Sequence, residues 1–109
     1  MNQGLAWSLL VVAGVLDVGW AVSIKYAEGY TRLGWSIASV LLLAAFVYLL
    51  GKVLEALPVG TAYAVWTGIG AAGTVVMGVV LFGETLGALK LGGVVAVLGG
   101  IAMLKLAEA

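Results

Sequence analysis

One carboxylate stands apart from every other charge in the chain. Asp17 lies within residues 4–24, a stretch that is otherwise uncharged and mostly apolar. It sits twelve residues beyond Leu5, which is about 18 Å along a helix at 1.5 Å per residue. If that stretch crosses a bilayer, Asp17 falls in its middle third. A carboxylate at that depth costs roughly 2.5–3.5 kcal/mol on insertion scales. Such side chains face a bundle interior or a watery cavity, and they mark paths for protons, ions or charged substrates. No Lys or Arg shares the depth of Asp17, so it is free to take up a proton or an external cation. The packing alternative is a protonated Asp bridging two helices, a task that Ser or Asn would perform at lower cost.

The neighbours of Asp17 leave space. Leu10, Gly14, Asp17, Ala21 and Ile24 follow i, i+3 and i+4 spacing and share a helix face. Gly14 and Ala21 make room beside the carboxylate for a ligand or a neighbouring helix. Trp20 lies on an adjacent part of that face. Further along, Tyr63 and Trp66 are i, i+3 neighbours well inside another apolar stretch. Trp7, Tyr26, Tyr30 and Trp35 suit the aromatic belts at membrane interfaces; Tyr63 and Trp66 lie deeper. Taken singly they read as core aromatics. Beside a lone carboxylate, a phenol donor and an indole face form the elements of a cation site. Gly68-Ile-Gly70 and Gly73 permit kinking or close helix approach in the same stretch. Gly92-Gly93 and Gly99-Gly100 repeat at seven residues as a small stripe suited to helix contact.

The elements carrying these residues must be transmembrane helices. Of 109 residues, 64% are hydrophobic and 9% charged, against about 25% charged in soluble domains. Mean hydropathy is +1.24. Cys and His are absent, which excludes disulfide scaffolds, thiol catalysis and the usual zinc sites. Neither metal nor cofactor is expected. Five basic residues balance five acidic ones, leaving no basic surface for nucleic acid. No phosphate loop, nucleophile elbow, metalloprotease or dinucleotide motif is present, so the chain does not read as an enzyme.

About 20 residues span a bilayer core, and four such helices fit, at about residues 4–25, 33–51, 57–83 and 85–106, as one domain over residues 1–109. The fourth has only 14 uncharged residues between Lys90 and Lys105, so both lysines must snorkel to the interfaces. Outer-membrane strands would alternate apolar and polar residues; residues 40–50 do not. The first stretch lacks a basic leader and is too long for a signal-peptide core, so it reads as a span. Orientation is weakly specified. Lys52 and Lys105 share one side, Lys25, Arg32 and Lys90 the other, which gives the positive-inside rule little to act on. Either a small protein simply has few charges, or the chain inserts both ways.

Three blocks resemble the small multidrug resistance family of four-helix exporters. They are Gly14-Val-Leu-Asp-Val-Gly-Trp-Ala21, Lys25-Tyr-Ala-Glu-Gly-Tyr-Thr-Arg-Leu33 and Leu57-Pro-Val-Gly-Thr-Ala-Tyr-Ala-Val-Trp-Thr-Gly-Ile-Gly70. The likeness covers essentially the whole chain. Trp20, with Trp66-Thr-Gly-Ile-Gly70, resembles the guanidinium-exporter branch. The resemblance implies an all-α, multi-pass protein of the bacterial inner membrane, working as an antiparallel homodimer or as a pair with a non-identical paralogue. Its partners would be a small organic cation, protons and membrane lipid. Asp17 would be shared by proton and substrate, and Gly14, Trp20, Phe46, Tyr63 and Trp66 would line the pocket. Gly68 and Gly70 would form a hinge, Gly93 and Gly100 the dimer seam. Two residues depart from the family pattern. The family acid is glutamate, and Asp17 is shorter by one methylene, about 1.3 Å of reach. Phe46 stands where guanidinium exporters often carry a small polar residue that bonds the acid.

Three functions are compatible with these residues. The leading one is proton-coupled antiport of guanidinium or small guanidinyl cations, whose planar donors pair with a carboxylate. The second is broader export of quaternary ammonium or hydrophobic cations, which rely on aromatic and apolar contacts and are favoured by Phe46. The third is a structural or assembly subunit that transports nothing, for which Asp17, Tyr63 and Trp66 would be unnecessary.

Overall fold

A computed structural model describes residues 2–108. Four helices account for most of them: α1 (Gln3–Tyr26), α2 (Leu33–Val53), α3 (Val59–Phe82) and α4 (Ala88–Glu108). Each is long and apolar enough to cross a membrane. Helices are the form such sequences must take in lipid, because they satisfy every backbone polar group within the segment.

Local chemistry sets the ends. Asn2 caps α1, its side-chain oxygen accepting from the Leu5 N–H at 2.7 Å. Pro58, which has no N–H to offer, immediately precedes α3. Gly83 ends α3 in the left-handed conformation at φ 64°, a geometry that glycine adopts without strain. The α1–α2 turn also passes through left-handed backbone at Glu28, Gly29 and Tyr30. Its charges pair locally, Arg32 Nε lying 3.2 Å from the Glu28 carboxylate.

The observed bounds differ from those expected of the sequence mainly in α4. It begins at Ala88, not near residue 85, and reaches Glu108. Residues 83–87 form the connection, with Gly83 turning the chain and Gly87 directly before the helix. The 21 residues of α4 rise about 31 Å, enough for a bilayer core of about 30 Å. Lys90 falls in the first turn and Lys105 in the last, the placement that snorkelling requires. At the other ends, α2 runs two residues further, to Val53, and α3 is shorter, Val59–Phe82.

The helices lie side by side in the order α2, α1, α3, α4. The molecule measures 43 × 34 × 17 Å. Four helices at interaxial distances of about 8–10 Å give such a width, so this is a curved row and not a closed bundle. The tightest core lies where α1 begins: Ala6, Trp7 and Leu10 pack with Val53, Leu57, Ala62 and Val65. Trp7 is only 8% exposed and lies under the Lys105 ammonium, 5.1 Å from its ring centroid. It belongs to the core edge and not to a lipid-facing belt. The Thr61 hydroxyl donates to the Glu108 carboxylate at 2.9 Å, joining the end of α4 to the start of α3. Otherwise α4 is a peripheral helix with no buried residue.

Candidate functional site

The α1–α3 seam holds the embedded carboxylate. Asp17, partly buried, lies directly against Gly70. A Cβ built on Gly70 would overlap Asp17 Oδ2 and come within 3.0 Å of Cγ. Only the absence of a side chain lets the carboxylate rest on the α3 backbone. Two further contacts set the helix register. Gly14 receives Ile69, whose Cγ2 would be 2.6 Å from an added Cβ, and Gly73 receives Val18 at the same distance. The space beside Asp17 at Gly14 is therefore taken by the neighbouring helix of the same chain.

Asp17 has no basic partner. Among the described residues the one ion pair is Arg32–Glu28, in the turn. Helical backbone at Gly70 offers no free N–H, because its donors are used within α3. No Lys or Arg among the described residues pairs with the Asp17 carboxylate.

A chain of rings crosses the three helices nearby. Phe46, from α2, is 2% exposed. It sits edge-on to Trp20 of α1 at 5.6 Å between centroids, and tilted against Trp66 of α3 at 5.4 Å. Tyr63 continues the chain, edge-on to Trp66 at 5.5 Å. These separations are those of favourable aromatic pairs. Phe46 thus separates the two indoles and fixes both. Tyr63 is 58% exposed. The Trp66 Nε1 is buried and has no hydrogen-bond partner among the described residues. A buried donor left unpaired costs about 1–3 kcal/mol, so an acceptor brought to Trp66 gains affinity from it.

The remaining glycines point elsewhere. Gly68 faces α4, where Ile101 Cδ1 and Val97 Cγ1 would lie 3.0 and 3.2 Å from an added Cβ. Helix α3 runs unbroken through Gly68 and Gly70. Gly68 and Gly100 line an open apolar groove of about 760 Å³ between α3 and α4. That groove lies on the side of α3 away from Asp17. Gly93 and Gly100 have no neighbour within 4 Å of an added Cβ; both border open grooves between α3 and α4. Sequence reasoning singles out Gly70 but misses its role as the carboxylate's seat. The signal is indirect: Gly70 and Gly73 on one face of α3 match Asp17 and Val18 on α1.

Four helices able to cross a membrane, one of them carrying an unpaired carboxylate, define a multi-pass membrane protein. The profile described as Small Multidrug Resistance protein matches residues 5–98, and the chain belongs to that family. It is similar to a protein of Yersinia pseudotuberculosis named Guanidinium exporter, with 48% identity over 104 residues, 95% of this chain and 100% of that one. The protein of the same name from Escherichia coli K12 is 45% identical over 102 residues, covering 94% and 97%. That of Citrobacter freundii is 42% identical over the same length. The chain is accordingly a multi-pass protein of the bacterial cell membrane.

Proposed function

We propose that this protein exports guanidinium or small guanidinyl cations in exchange for protons, using Asp17 for both. The observation that carries the reading is the unpaired Asp17 carboxylate seated on Gly70 inside the membrane. The names of the relatives, Guanidinium exporter, support the substrate. A guanidinium presents parallel N–H donors that match a carboxylate fork, and its flat faces stack on indole and phenol rings. Trp20, Trp66 and Tyr63 supply such rings, with Gly14 and Phe46 packing behind them.

The working unit is an antiparallel pair of chains, either two copies or this chain with a paralogue. The support is physical. A row 17 Å thick encloses no pathway by itself, Gly93 and Gly100 of α4 border open grooves, and basic residues divide two against three between the ends. Two opposed copies create the inverted symmetry that larger transporters build from internal repeats. Cation binding requires Asp17 to be free of protons, and proton binding discharges the cation. Exchange follows if only the loaded dimer changes its facing direction. Gly68 and Gly70 would let α3 bend in that step.

The test is proton release from detergent-solubilised protein on adding guanidinium. Wild type is expected to release protons, and Asp17→Asn to release none and bind no cation at this site. Transport against a gradient by Asp17→Asn would overturn the shared-carboxylate mechanism. Broader export of hydrophobic or quaternary cations is the second reading, favoured by the apolar Phe46 wedge. Transport currents from proteoliposomes given guanidinium or a tetraalkylammonium separate the two.

A further inference from the structure

The α1–α3 seam continues from Asp17 toward one membrane surface and opens into a second, smaller cavity. It has a volume of about 100 Å³ and lies among Ala21, Lys25, Thr74, Gly78, Phe82 and Glu84. Lys25 is eight residues from Asp17, about 12 Å along α1. On α3, Gly70, Thr74 and Gly78 follow at i+4 intervals on one face. The cavity is thus the next position along the row that seats Asp17.

Its walls suit a carboxylate and a ring. Gly83, at φ 64°, folds the chain back on α3. The Glu84 N–H then donates to the Gly78 carbonyl at 3.2 Å. This brings the Glu84 carboxylate onto Gly78, where an added Cβ would lie 2.9 Å from Cδ. Glycine again provides a seat for a carboxylate, eight residues after Gly70 does so. The Phe82 ring is held by Tyr26 at 5.1 Å, and Tyr26 stacks on Trp35 at 4.8 Å. Over Phe82 lies the Lys25 ammonium, 5.3 Å from the centroid. Lys25 and Glu84 flank one cavity without forming an ion pair. The chain therefore places a tethered cation of its own on a fixed ring beside an available carboxylate.

We infer that this cavity is a second cation site, at the mouth of the seam, in which a guanidinium-type cation replaces the Lys25 ammonium on Phe82 and pairs with Glu84. The inference rests on the cation-export reading and extends it to where the substrate is held before or after Asp17. A planar cation offers both interactions together, a fork to the carboxylate and a face to the ring. The Thr74 hydroxyl supplies a further acceptor. The volume of about 100 Å³ leaves room for a small planar cation such as guanidinium. Lys25 competes for the ring and keeps the site weak. A site of passage must be weak enough to release what enters it.

The experiment titrates guanidinium chloride into Asp17→Asn protein in bicelles and follows the amide signals of Gly78, Phe82 and Gly83. With the central site disabled, saturable shifts at these three amides are expected, and sodium chloride at equal concentration should not produce them. Adding Glu84→Gln should weaken that affinity by about tenfold, the loss expected for one charge-assisted pair. Adding Lys25→Met should strengthen it about threefold by freeing the ring. Absence of saturable shifts in Asp17→Asn, or unchanged affinity after Glu84→Gln, overturns the inference. If Glu84→Gln does not fold, Lys25→Met and Phe82→Leu decide: unchanged affinity in both overturns it. The central mechanism is judged separately by whether Asp17→Asn transports, so the two failures are distinct.

Discussion

At the scale of single residues, Asp17 and its aromatic neighbours divide charge from shape. Asp17→Asn keeps the volume that fits Gly70 and removes the charge. The proposed dimer should still assemble, while guanidinium binding at this site is lost, the weaker site at the mouth of the seam alone remaining in a calorimetric titration. Asp17→Glu adds a methylene to a carboxylate already resting on the α3 backbone. That group must shift from the Gly70 seat. The variant should still transport, with a changed pH profile of the current. Trp66→Ala removes the buried indole donor and one face of the ring chain. Cation affinity and transport should both fall while assembly persists, checked by binding and by size-exclusion chromatography. Tyr63→Phe deletes a hydroxyl on an exposed ring. One lost hydrogen bond is worth about 0.5–1.5 kcal/mol, or roughly two- to twelvefold in affinity. Normal affinity in both variants would make these rings packing alone.

Among the elements, α3 is the one that serves two neighbours. It gives Ile69, Gly70 and Gly73 to α1, and Gly68 to α4. Glycine-to-alanine substitutions therefore separate site from scaffold. In helical terms each gains up to about 1 kcal/mol of propensity, so any loss reports the contact made. Gly70→Ala should drive the carboxylate off its seat and suppress transport, with thermal stability in detergent little changed. Gly14→Ala meets the Ile69 Cβ, which belongs to a stiff branched side chain. It should lower stability by about 1–3 kcal/mol through overpacking. Gly60→Ala and Gly51→Ala meet nothing within 4 Å and should leave both readouts intact. Loss of stability without loss of transport in Gly70→Ala would remove the carboxylate seat from the mechanism. Much of this was legible in the sequence. Uninterrupted apolar runs, Pro58 and the flanking charges placed four helices and put Asp17 in mid-membrane. The start of α4 was not legible, because residues 85–87 offer neither charge nor apolar contrast with the first turn of the helix. Nor was the pairing of Gly70 with Asp17, which depends on the register of two helices and not on either one. Trp7 misled for a related reason: its position near a helix end suits a belt, but Lys105 arrives from the far end of the chain to cover it.

For the whole molecule, the decisive property is how weakly its charges specify an orientation. One end carries Lys52 and Lys105, the other Lys25, Arg32 and Lys90. Acidic residues contribute little to this choice, so the bias is a single basic residue. In the proposed pair, an inverted copy would cover the seam and supply the same residues in opposed directions. C-terminal reporters should therefore show both orientations in cells, and cross-linking should trap antiparallel pairs. Leu54→Lys with Glu55→Lys raises the first end to four basic residues against three. Both positions are exposed in the α2–α3 connection, so the fold should tolerate the change. The same logic makes Tyr30→Lys with Leu33→Lys bias the chain the opposite way, at two against five. Each biased variant alone should lose most export activity, because it lacks an inverted partner. Co-expression of the two should restore it, and Asp17→Asn in both copies should abolish the restored activity. Uniform orientation of the wild-type reporter, or full activity from one biased variant alone, would exclude the antiparallel pair. Restoration by co-expression depends on each copy supplying what the other lacks in direction, which a parallel dimer cannot reproduce.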